Sequence, residues 1–327
     1  MKPSGLVTSP LFLRHDTGPG HPERAARLVA IERRLVESGV AAEFERIEAQ
    51  PCDRAFLALA HSERHIAEVE RAIQGGARVL DEGDTRVSAD SFRAACAAAG
   101  GAVTAVEKVV GGEWQHAFVA ARPPGHHAER ALAMGFCLFN NVAIAARYAQ
   151  RFLDLERIAI LDFDVHHGNG TQHIFEEDAS VFYASIHQYP LYPGTGAATE
   201  RGKNAGEGTT RNCPQPPGAG DAEWLTALES VILPEFEQFR PQLLLLSAGF
   251  DAHERDPLAQ TELSTAGYRK ITELCAQFAR EHSKGRIVSL LEGGYDLTAL
   301  AESVEAHIAV LITREADKRQ FGGPHRE

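Results

Sequence analysis

The segment RIAILDFDVHHGNG, residues 157–170, passes from an apolar run to a dense group of charged and polar side chains. The isoleucines and leucine of its first half predict a buried strand over 157–163. Two aspartates, two histidines and an asparagine stand between residues 162 and 169, at the end of that strand and just after it. A buried carboxylate is costly unless it is neutralised, so this segment needs a cation, polar partners, or both.

The same alternation of apolar runs and helical patterns continues along the chain and predicts an α/β fold. The predicted strands are 116–121, 157–163, 181–186, 243–247 and 286–291. The predicted helices are 22–38, 62–74, 89–110, 140–152, 221–239, 265–282 and 297–313. Nearly continuous apolar runs are typical of parallel strands covered on both faces, so we expect a central, mostly parallel sheet between helices.

One domain accounts for the chain. No Pro/Gly/Ser-rich linker, change of composition or internal repeat divides its 327 residues. We predict a single domain over 1–313 and a polar C-terminal tail over 314–327. Within the domain, the polar and glycine-rich stretch 188–220 predicts a surface loop.

Composition excludes several classes of protein. A formal net charge of -12 argues against a nucleic-acid partner and is explained by a cationic substrate or, more simply, by solubility. Five scattered cysteines without a C-x-x-C pair favour a reducing compartment, which we take to be the cytoplasm. The N-terminus lacks a signal-peptide pattern, and no run of about 18 apolar residues predicts a membrane span.

Polar residues follow four of the predicted strands. The segments are RPPGHH (122–127), DFDVHHGN (162–169), SAGFDAH (247–253) and LEGGYD (291–296). Ligands of parallel sheets bind outside the carboxyl ends of the strands, so these segments can meet in one pocket.

The aspartates and histidine of the second segment have metal-ligand chemistry. Asp162, Asp164 and His166 would point the same way if the extended conformation continues to residue 166. Carboxylate and imidazole donors suit Zn²⁺, and a catalytic zinc ion has three protein ligands and an open position. Because Asp251 also follows a strand, we predict Asp164, His166 and Asp251 as ligands and a supporting role for Asp162.

A metal site nearby would change the interpretation of three residues, namely His126, His127 and Tyr295. A single histidine near a sheet is more often structural, and a tyrosine between glycine and aspartate is often ordinary turn chemistry. Next to a metal, however, two adjacent histidines suit the acid and base of a hydrolysis, and a phenol can stabilise an oxyanion.

Seven motifs together carry a resemblance to a known family. In chain order they are HPER, RPPGHH, GFCLFNN, LDFDVHHGNGTQ, SIHQYPLYPGTG, SAGFDAHERDPL and LEGGY. This set strongly resembles the metal-dependent histone deacetylases of the arginase/deacetylase superfamily, especially class II-like bacterial members. The resemblance implies an arginase/deacetylase-like α/β fold with one zinc ion at the bottom of a narrow channel.

The resemblance also implies a role for each polar residue. It makes Asp164, His166 and Asp251 the zinc ligands, in agreement with the choice made from spacing. It makes His127 the general base and acid, His126 its electrostatic assistant, and Tyr295 the hydrogen-bond donor to the substrate carbonyl.

Two further residues would support the histidine pair. The resemblance pairs Asp162 with His126, and it pairs Asn169 with His127, where class I members have an aspartate. An amide cannot favour an imidazolium as a carboxylate does, so we expect His127 to be less basic than in those relatives.

The resemblance implies a channel and a second ion site. Phe136, with Gly135 beside it, and Tyr192 would form the channel walls, and Arg24 aligns loosely with an arginine near the product-release region. Leu258 replaces a glutamate of polyamine-specific class IIb relatives, which favours peptidyl-lysine without excluding polyamines. A structural potassium ion would be bound by Asp162, Ser185 and the backbone carbonyls of Asp164, His166 and Ile186.

The expected function is zinc-dependent removal of acetyl or other acyl groups from amines, most simply from acetyl-lysine. An acetylpolyamine deacetylase, another small-amide hydrolase and an acetoin-utilisation protein remain alternatives, as does a non-enzymatic acyl-lysine binding module. A binuclear manganese ureohydrolase would need further ligands, and only His253 extends the site, where a structural role is favoured. The sequence predicts no oligomeric state.

Overall fold

Eight strands form one central sheet in the computed structural model, which describes residues 2–81 and 83–312. They are β1 (Ser4–Thr8), β2 (Phe44–Glu48), β3 (His116–Val119), β4 (Ile158–Asp162), β5 (Val181–Gln188), β6 (Thr210–Gln215), β7 (Leu243–Ala248) and β8 (Ile287–Leu291). Their order across the sheet is β2-β1-β3-β8-β7-β4-β5-β6. All neighbouring strands pair in parallel.

Eleven α-helices connect and cover these strands within the described residues. They are α1 (Pro10–Arg14), α2 (Ala26–Glu37), α3 (Arg54–Leu57), α4 (Glu63–Gln74), α5 (Ser91–Val110), α6 (Asn141–Phe152), α7 (Asn169–Phe175), α8 (Asp221–Ala227), α9 (Leu233–Phe239), α10 (Thr265–His282) and α11 (Leu297–Ile312). Helices α5 and α6 pack together, and α11 packs against both α2 and α10. Every residue of β3, β4, β5, β7 and β8 is buried, as expected for strands covered on both faces.

The predicted α/β class with a parallel sheet is confirmed, and so are all five predicted strands. Strands β1, β2 and β6 were not predicted, and β6 lies inside the stretch 188–220 that was expected to be loop. Its sequence, TRNCPQ, is polar and contains a proline, and it pairs with β5 alone as an edge strand. Edge positions tolerate such residues because one side of the strand makes no ladder hydrogen bonds.

The predicted helix 221–239 is interrupted. A π-helical turn, Leu228–Ile232, separates α8 from α9. Pro234 stands at the start of α9, and a proline cannot donate to the carbonyl four residues before it and would collide with that carbonyl in a regular helix. A wider turn ahead of the proline avoids this conflict. The other predicted helices are present with ends shifted by up to four residues, except that residue 313 and the tail 314–327 lie outside the described residues.

The register of the sheet brings the polar segments to one edge. Asp162, the last residue of β4, pairs with Ser185 of β5 and with Ser247 of β7. Leu291, the last residue of β8, pairs with Ala248. The loops that leave β4, β7 and β8 therefore begin at nearly the same level. No helix within the described part of the chain combines the length and apolar character needed to cross a membrane.

Candidate active site

Asp164, His166 and Asp251 meet at the carboxyl edge of the sheet. Their ligand atoms all lie within 4.8 Å of one another, and all three residues are buried. The premise that the extended conformation reaches residue 166 is wrong, because β4 ends at Asp162 and the chain bends over the next residues. The bend itself brings Asp164 and His166 together, and the loop after β7 supplies Asp251.

Close packing holds the three side chains in place. Nδ1 of His166 lies 3.0 Å from Oδ1 of Asp164 and 3.2 Å from Oδ2 of Asp251. The backbone N–H of Gly293 donates to Oδ2 of Asp164 at 2.8 Å. A Cβ atom at Gly293 would lie 2.6 Å from that oxygen, and one at Gly249 would lie 2.5 Å from the Asp164 Cα atom. Only glycine lets the backbone approach the carboxylates this closely.

The surroundings of this group fit a divalent cation. Four buried acidic residues lie in or next to it: Asp162, Asp164, Asp251 and Glu292. Burial disfavours the charged forms of His126 and His166, but the adjacent aspartates outweigh this effect and raise the pKa of each imidazole to about 10. The site thus attracts positive charge, and its buried set of two carboxylates and one imidazole has the donors that Zn²⁺ prefers.

The two adjacent histidines have different partners. Nδ1 of His126 lies 3.0 Å from Oδ2 of Asp162, whereas Nδ1 of His127 lies 2.8 Å from Oδ1 of Asn169. Glu292 accepts the backbone N–H of His126 at 3.2 Å and so fixes the start of the pair. Burial, with the neighbouring imidazoles, lowers the pKa of His127 well below its ordinary value. A lowered pKa favours the neutral imidazole, which is the form that a general base requires.

Tyr295 lies beside the metal-ligand group in a turn that is held from two sides. The carboxylate of Asp256 accepts the Tyr295 backbone N–H at 2.7 Å. Arg27 donates from Nε to the carbonyl of Gly294 at 2.6 Å, and its guanidinium carbon lies 5.1 Å from the Tyr295 ring centroid. Burial raises the pKa of the Tyr295 phenol well above its ordinary value, so the hydroxyl keeps its proton. Arg24, by contrast, is exposed.

Phe136 and Tyr192 flank the site with aromatic rings. Phe136 meets Tyr295 edge to face at a centroid distance of 6.1 Å, and Tyr192 meets His127 in the same way at 5.1 Å. Tyr192 is 38% exposed, which places it between the buried site and solvent. Gly135 lies against the His127 ring, where a Cβ atom would come within 2.7 Å of Cγ. The predicted channel residues 135, 136 and 192 therefore do adjoin the histidine pair or Tyr295.

A turn that contains Asp81 and Asp84 contacts the backbone of Phe136 through Thr85. The Thr85 hydroxyl donates to Oδ2 of Asp81 at 2.5 Å and accepts the backbone N–H of Phe136 at 3.1 Å. Burial and the neighbouring Asp81 raise the pKa of Asp84 to about 6. The sequence does not indicate that this turn lies next to Phe136, because the contact spans 51 residues of chain.

Two residues of the loop after β7 have structural contacts. Leu258 is partly buried, and its backbone N–H donates to the same Asp256 carboxylate that holds Tyr295. Both ring nitrogens of His253 are engaged, one by the Thr265 hydroxyl at 3.1 Å and one by the Arg255 N–H at 3.1 Å. Among the residues that the structure describes, Asp164, His166 and Asp251 form the one group with metal-site geometry, and His253 is not part of it.

The predicted potassium ligands belong to β4, to the bend after it and to the neighbouring strand β5. The Asp162 side chain is fully buried, Ser185 is its partner in the sheet register, and Ile186 follows Ser185 in β5. Asp164 and His166 occupy the bend directly after β4. The Ser185 hydroxyl lies 2.8 Å from a ring nitrogen of the histidine two residues further along.

Comparison with known proteins identifies the family of this chain. Residues 21–311 match the family model described as "Histone deacetylase domain". The chain belongs to the histone deacetylase family. A similar relative in this family is the "Probable deacetylase" of Archaeoglobus fulgidus, 40% identical over 297 residues, which cover 90% of this chain and 82% of the relative.

Plant members of the family are similar as well. "Histone deacetylase 14, chloroplastic" of Arabidopsis thaliana is 38% identical over 320 residues, covering 93% of this chain and 76% of that protein. The crystal structure of the HDA15 HD domain superposes with a TM-score of 0.90 at 36% identity, covering 95% of this chain and 90% of that one. The histone deacetylase family supports deacetylase, and therefore hydrolase, activity for this chain.

Proposed function

We propose that the protein is a zinc-dependent deacetylase that releases acetate and a free amine from acetyl-lysine. The observation that carries the proposal is the convergence of the Asp164–His166–Asp251 group with a neutral His127 and a protonated Tyr295. Metal-assisted amide hydrolysis needs these three components, namely an ion, a base and a hydrogen-bond donor to the developing oxyanion.

Each residue has a distinct part in this reaction. Asp164, His166 and Asp251 would hold the zinc ion, which when bound supplies a Lewis acid for the amide carbonyl and for water. His127 accepts a proton from the attacking water and returns it to the leaving amine. Tyr295 donates a hydrogen bond to the carbonyl oxygen as negative charge develops there. His126, paired with Asp162, adds positive charge close to the same centre.

The surroundings favour an acylated lysine. The rings of Phe136 and Tyr192 suit an unbranched aliphatic stem, and Leu258 provides no charge for a second ammonium group. Asp81 and Asp84 near the Phe136 wall would attract a cationic substrate, which also keeps an acetylpolyamine as the second candidate. A small uncharged amide gains nothing from these carboxylates.

Three further proposals concern a second ion, the extent of the domain and the cellular location. We propose a structural potassium ion at the Asp162–Ser185 position, supported by a buried carboxylate beside a buried hydroxyl. The domain is proposed to extend over 1–313. A cytoplasmic location is supported by five free cysteines, which are typical of a reducing compartment.

A substrate panel tests the proposal. Zinc-loaded protein is assayed with acetyl-lysine peptides, acetylpolyamines and longer acyl-lysines, and the released amine is quantified beside an Asp251→Asn control. We expect the highest kcat/KM on acetyl-lysine peptides and a value roughly 10³-fold lower or less in the control. Faster turnover of acetylpolyamines would replace the substrate assignment. Binding of acetyl-lysine peptide without release of amine would support a binding module and overturn the enzymatic proposal.

A further inference from the structure

Asn169 stands between the proposed base His127 and a carboxylate at the protein surface. Its Oδ1 lies 2.8 Å from Nδ1 of His127, and its Nδ2 donates to Oε1 of Glu129 at 3.0 Å. The second oxygen of Glu129 lies 2.5 Å from Nδ1 of His173, whose side chain is 51% exposed. A row of four side chains thus leads from the buried site to solvent.

An amide beside a neutral histidine leaves the position of the histidine proton open. The His127 Nδ1–H can donate to the Asn169 carbonyl, or the Asn169 amide can donate to an unprotonated Nδ1. Only the first arrangement leaves Nε2 without a proton and able to act as a base. An aspartate in place of Asn169 would not raise this problem, because an ionised carboxylate only accepts hydrogen bonds.

Glu129 removes the ambiguity. Its carboxylate is an obligate acceptor, so the Asn169 Nδ2 must face it and the Asn169 carbonyl must face His127. A second acceptor, Sδ of Met134, lies 3.3 Å from the same Nδ2 and favours the same orientation. The loop that carries Glu129 is itself fixed, since the Glu129 backbone N–H bonds to Leu132 and its carbonyl lies 2.9 Å from a His61 ring nitrogen.

We propose that Glu129 is a positioning residue, which orients the Asn169 amide and thereby keeps the proton of His127 on Nδ1. This inference rests on the proposed function, since it concerns the base of that reaction. It assigns to Glu129 and Asn169 jointly the task that one aspartate would perform alone. A carboxylate at residue 169 should therefore make Glu129 dispensable.

Four proteins test the inference: wild type, Glu129→Gln, Asn169→Asp and the double variant. A glutamine amide at position 129 can present either a donor or an acceptor to Asn169, so in Glu129→Gln we expect kcat to fall about threefold to tenfold while KM stays the same. An aspartate at position 169 accepts from His127 whatever stands at 129, so the double variant should recover most of the lost kcat. Asn169→Asp alone should be less active than the double variant, because two carboxylates then face each other.

A direct measurement of the tautomer separates this role from a merely structural one. The ¹⁵N shifts of His127 in zinc-loaded protein, assigned with a His127→Gln variant, report which ring nitrogen carries the proton. We expect the Nδ1–H form in wild type and in the double variant, and a mixture in Glu129→Gln. Glu156→Gln makes the same change at a glutamate just before the start of β4, at the end of the strand away from the site. It serves as the matched control and should not alter the spectrum.

The outcomes are distinct. An unchanged His127 spectrum in Glu129→Gln overturns the inference, even if kcat falls, and so does failure of Asn169→Asp to rescue that variant. If zinc-loaded wild type hydrolyses no acyl amide, the proposed function fails, yet the spectra still decide whether Glu129 sets the tautomer.

Discussion

Two clusters of buried charge lie near the carboxyl edge of the sheet, and they are neutralised differently. In the first, the fully buried Glu23 is paired with Arg122, through Nε at 2.5 Å and Nη2 at 2.8 Å, and with Arg27 through Nη1 at 3.2 Å. In the second, Asp164 and Asp251 have an imidazole, His166, between them. The first cluster contains guanidinium groups, which are always charged. In the second, which we call the aspartate cluster, the imidazole can lose its proton and with it its charge.

The difference separates a structural ion cluster from a site for an external ion. Burial opposes ionisation of Glu23, but Arg122 outweighs it and lowers the pKa of Glu23 to about 2. A guanidinium stays protonated at every physiological pH, so this cluster needs nothing from solution. The aspartate cluster reaches the same balance only by binding protons or a metal. Asp251 and Glu23 are therefore expected to respond differently to the same kind of substitution.

The largest expected effect is at Asp251. Asn in its place removes one charged ligand, so we expect kcat/KM for acetyl-lysine peptide to fall roughly 10³-fold or more, since metal catalysis supplies several kcal/mol. Zinc should raise the Tm of wild type and of Glu23→Gln but not that of Asp251→Asn. A zinc-dependent Tm increase of wild-type size in Asp251→Asn would remove the distinction between the clusters.

The next effect is on stability, at Glu23. Its folded-state pKa of about 2 lies below the ordinary 4.5, so ionised Glu23 contributes roughly 3 kcal/mol above about pH 5, and this contribution is lost as pH falls toward 2. Glu23→Gln should lower the free energy of unfolding by about that amount at pH 7, and the deficit should shrink at about pH 3.5. Denaturant titrations at both pH values measure it.

The matched control for Glu23 is Glu32→Gln, which breaks an exposed pair with Arg46. Exposed ion pairs contribute at most about 1 kcal/mol, so this change should be nearly neutral. An equal stability loss in the two variants, or a Glu23 deficit that does not depend on pH, would contradict the account of the first cluster.

A somewhat smaller effect is expected at Tyr295, which lies beside the aspartate cluster but is not proposed as a ligand. Tyr295→Phe removes only the hydroxyl, so kcat should fall about 10²-fold while zinc binding stays the same. Isothermal titration with zinc and steady-state assays on one preparation distinguish the two properties. Unchanged turnover would remove Tyr295 from the mechanism, and lost zinc binding would show that it holds the metal site instead.

The sequence predicted the centre of the fold better than its edges. The run LLLL in β7 and the apolar half of β4 are buried on both faces, and such strands have an unmistakable composition. Strands β1 (SGLVT), β2 (FERIE) and β6 (TRNCPQ) have polar or charged residues among few apolar ones, so nothing distinguishes them from loop until their neighbours are known. The helix break at Pro234 could have been expected from the proline alone.

The prediction of the site from sequence was also incomplete, but for a different reason. Asp164, His166 and Asp251 are recognisable because their side chains have metal-ligand chemistry and follow strands. Asp256 and Arg27 were missed because they act on backbone groups far along the chain, Arg27 on the carbonyl of a residue 267 positions away. Residue type and spacing identify the groups that take part in the chemistry. The residues that hold those groups in place can be recognised only from tertiary contacts.

The central claim is that one divalent ion completes the aspartate cluster. The direct test is the metal content of wild type and Asp164→Asn, after equilibration with zinc and removal of free ion, by inductively coupled plasma mass spectrometry. The account predicts about one zinc per wild-type chain and far less in the variant. Two ions per chain, or equal zinc in both proteins, would contradict it.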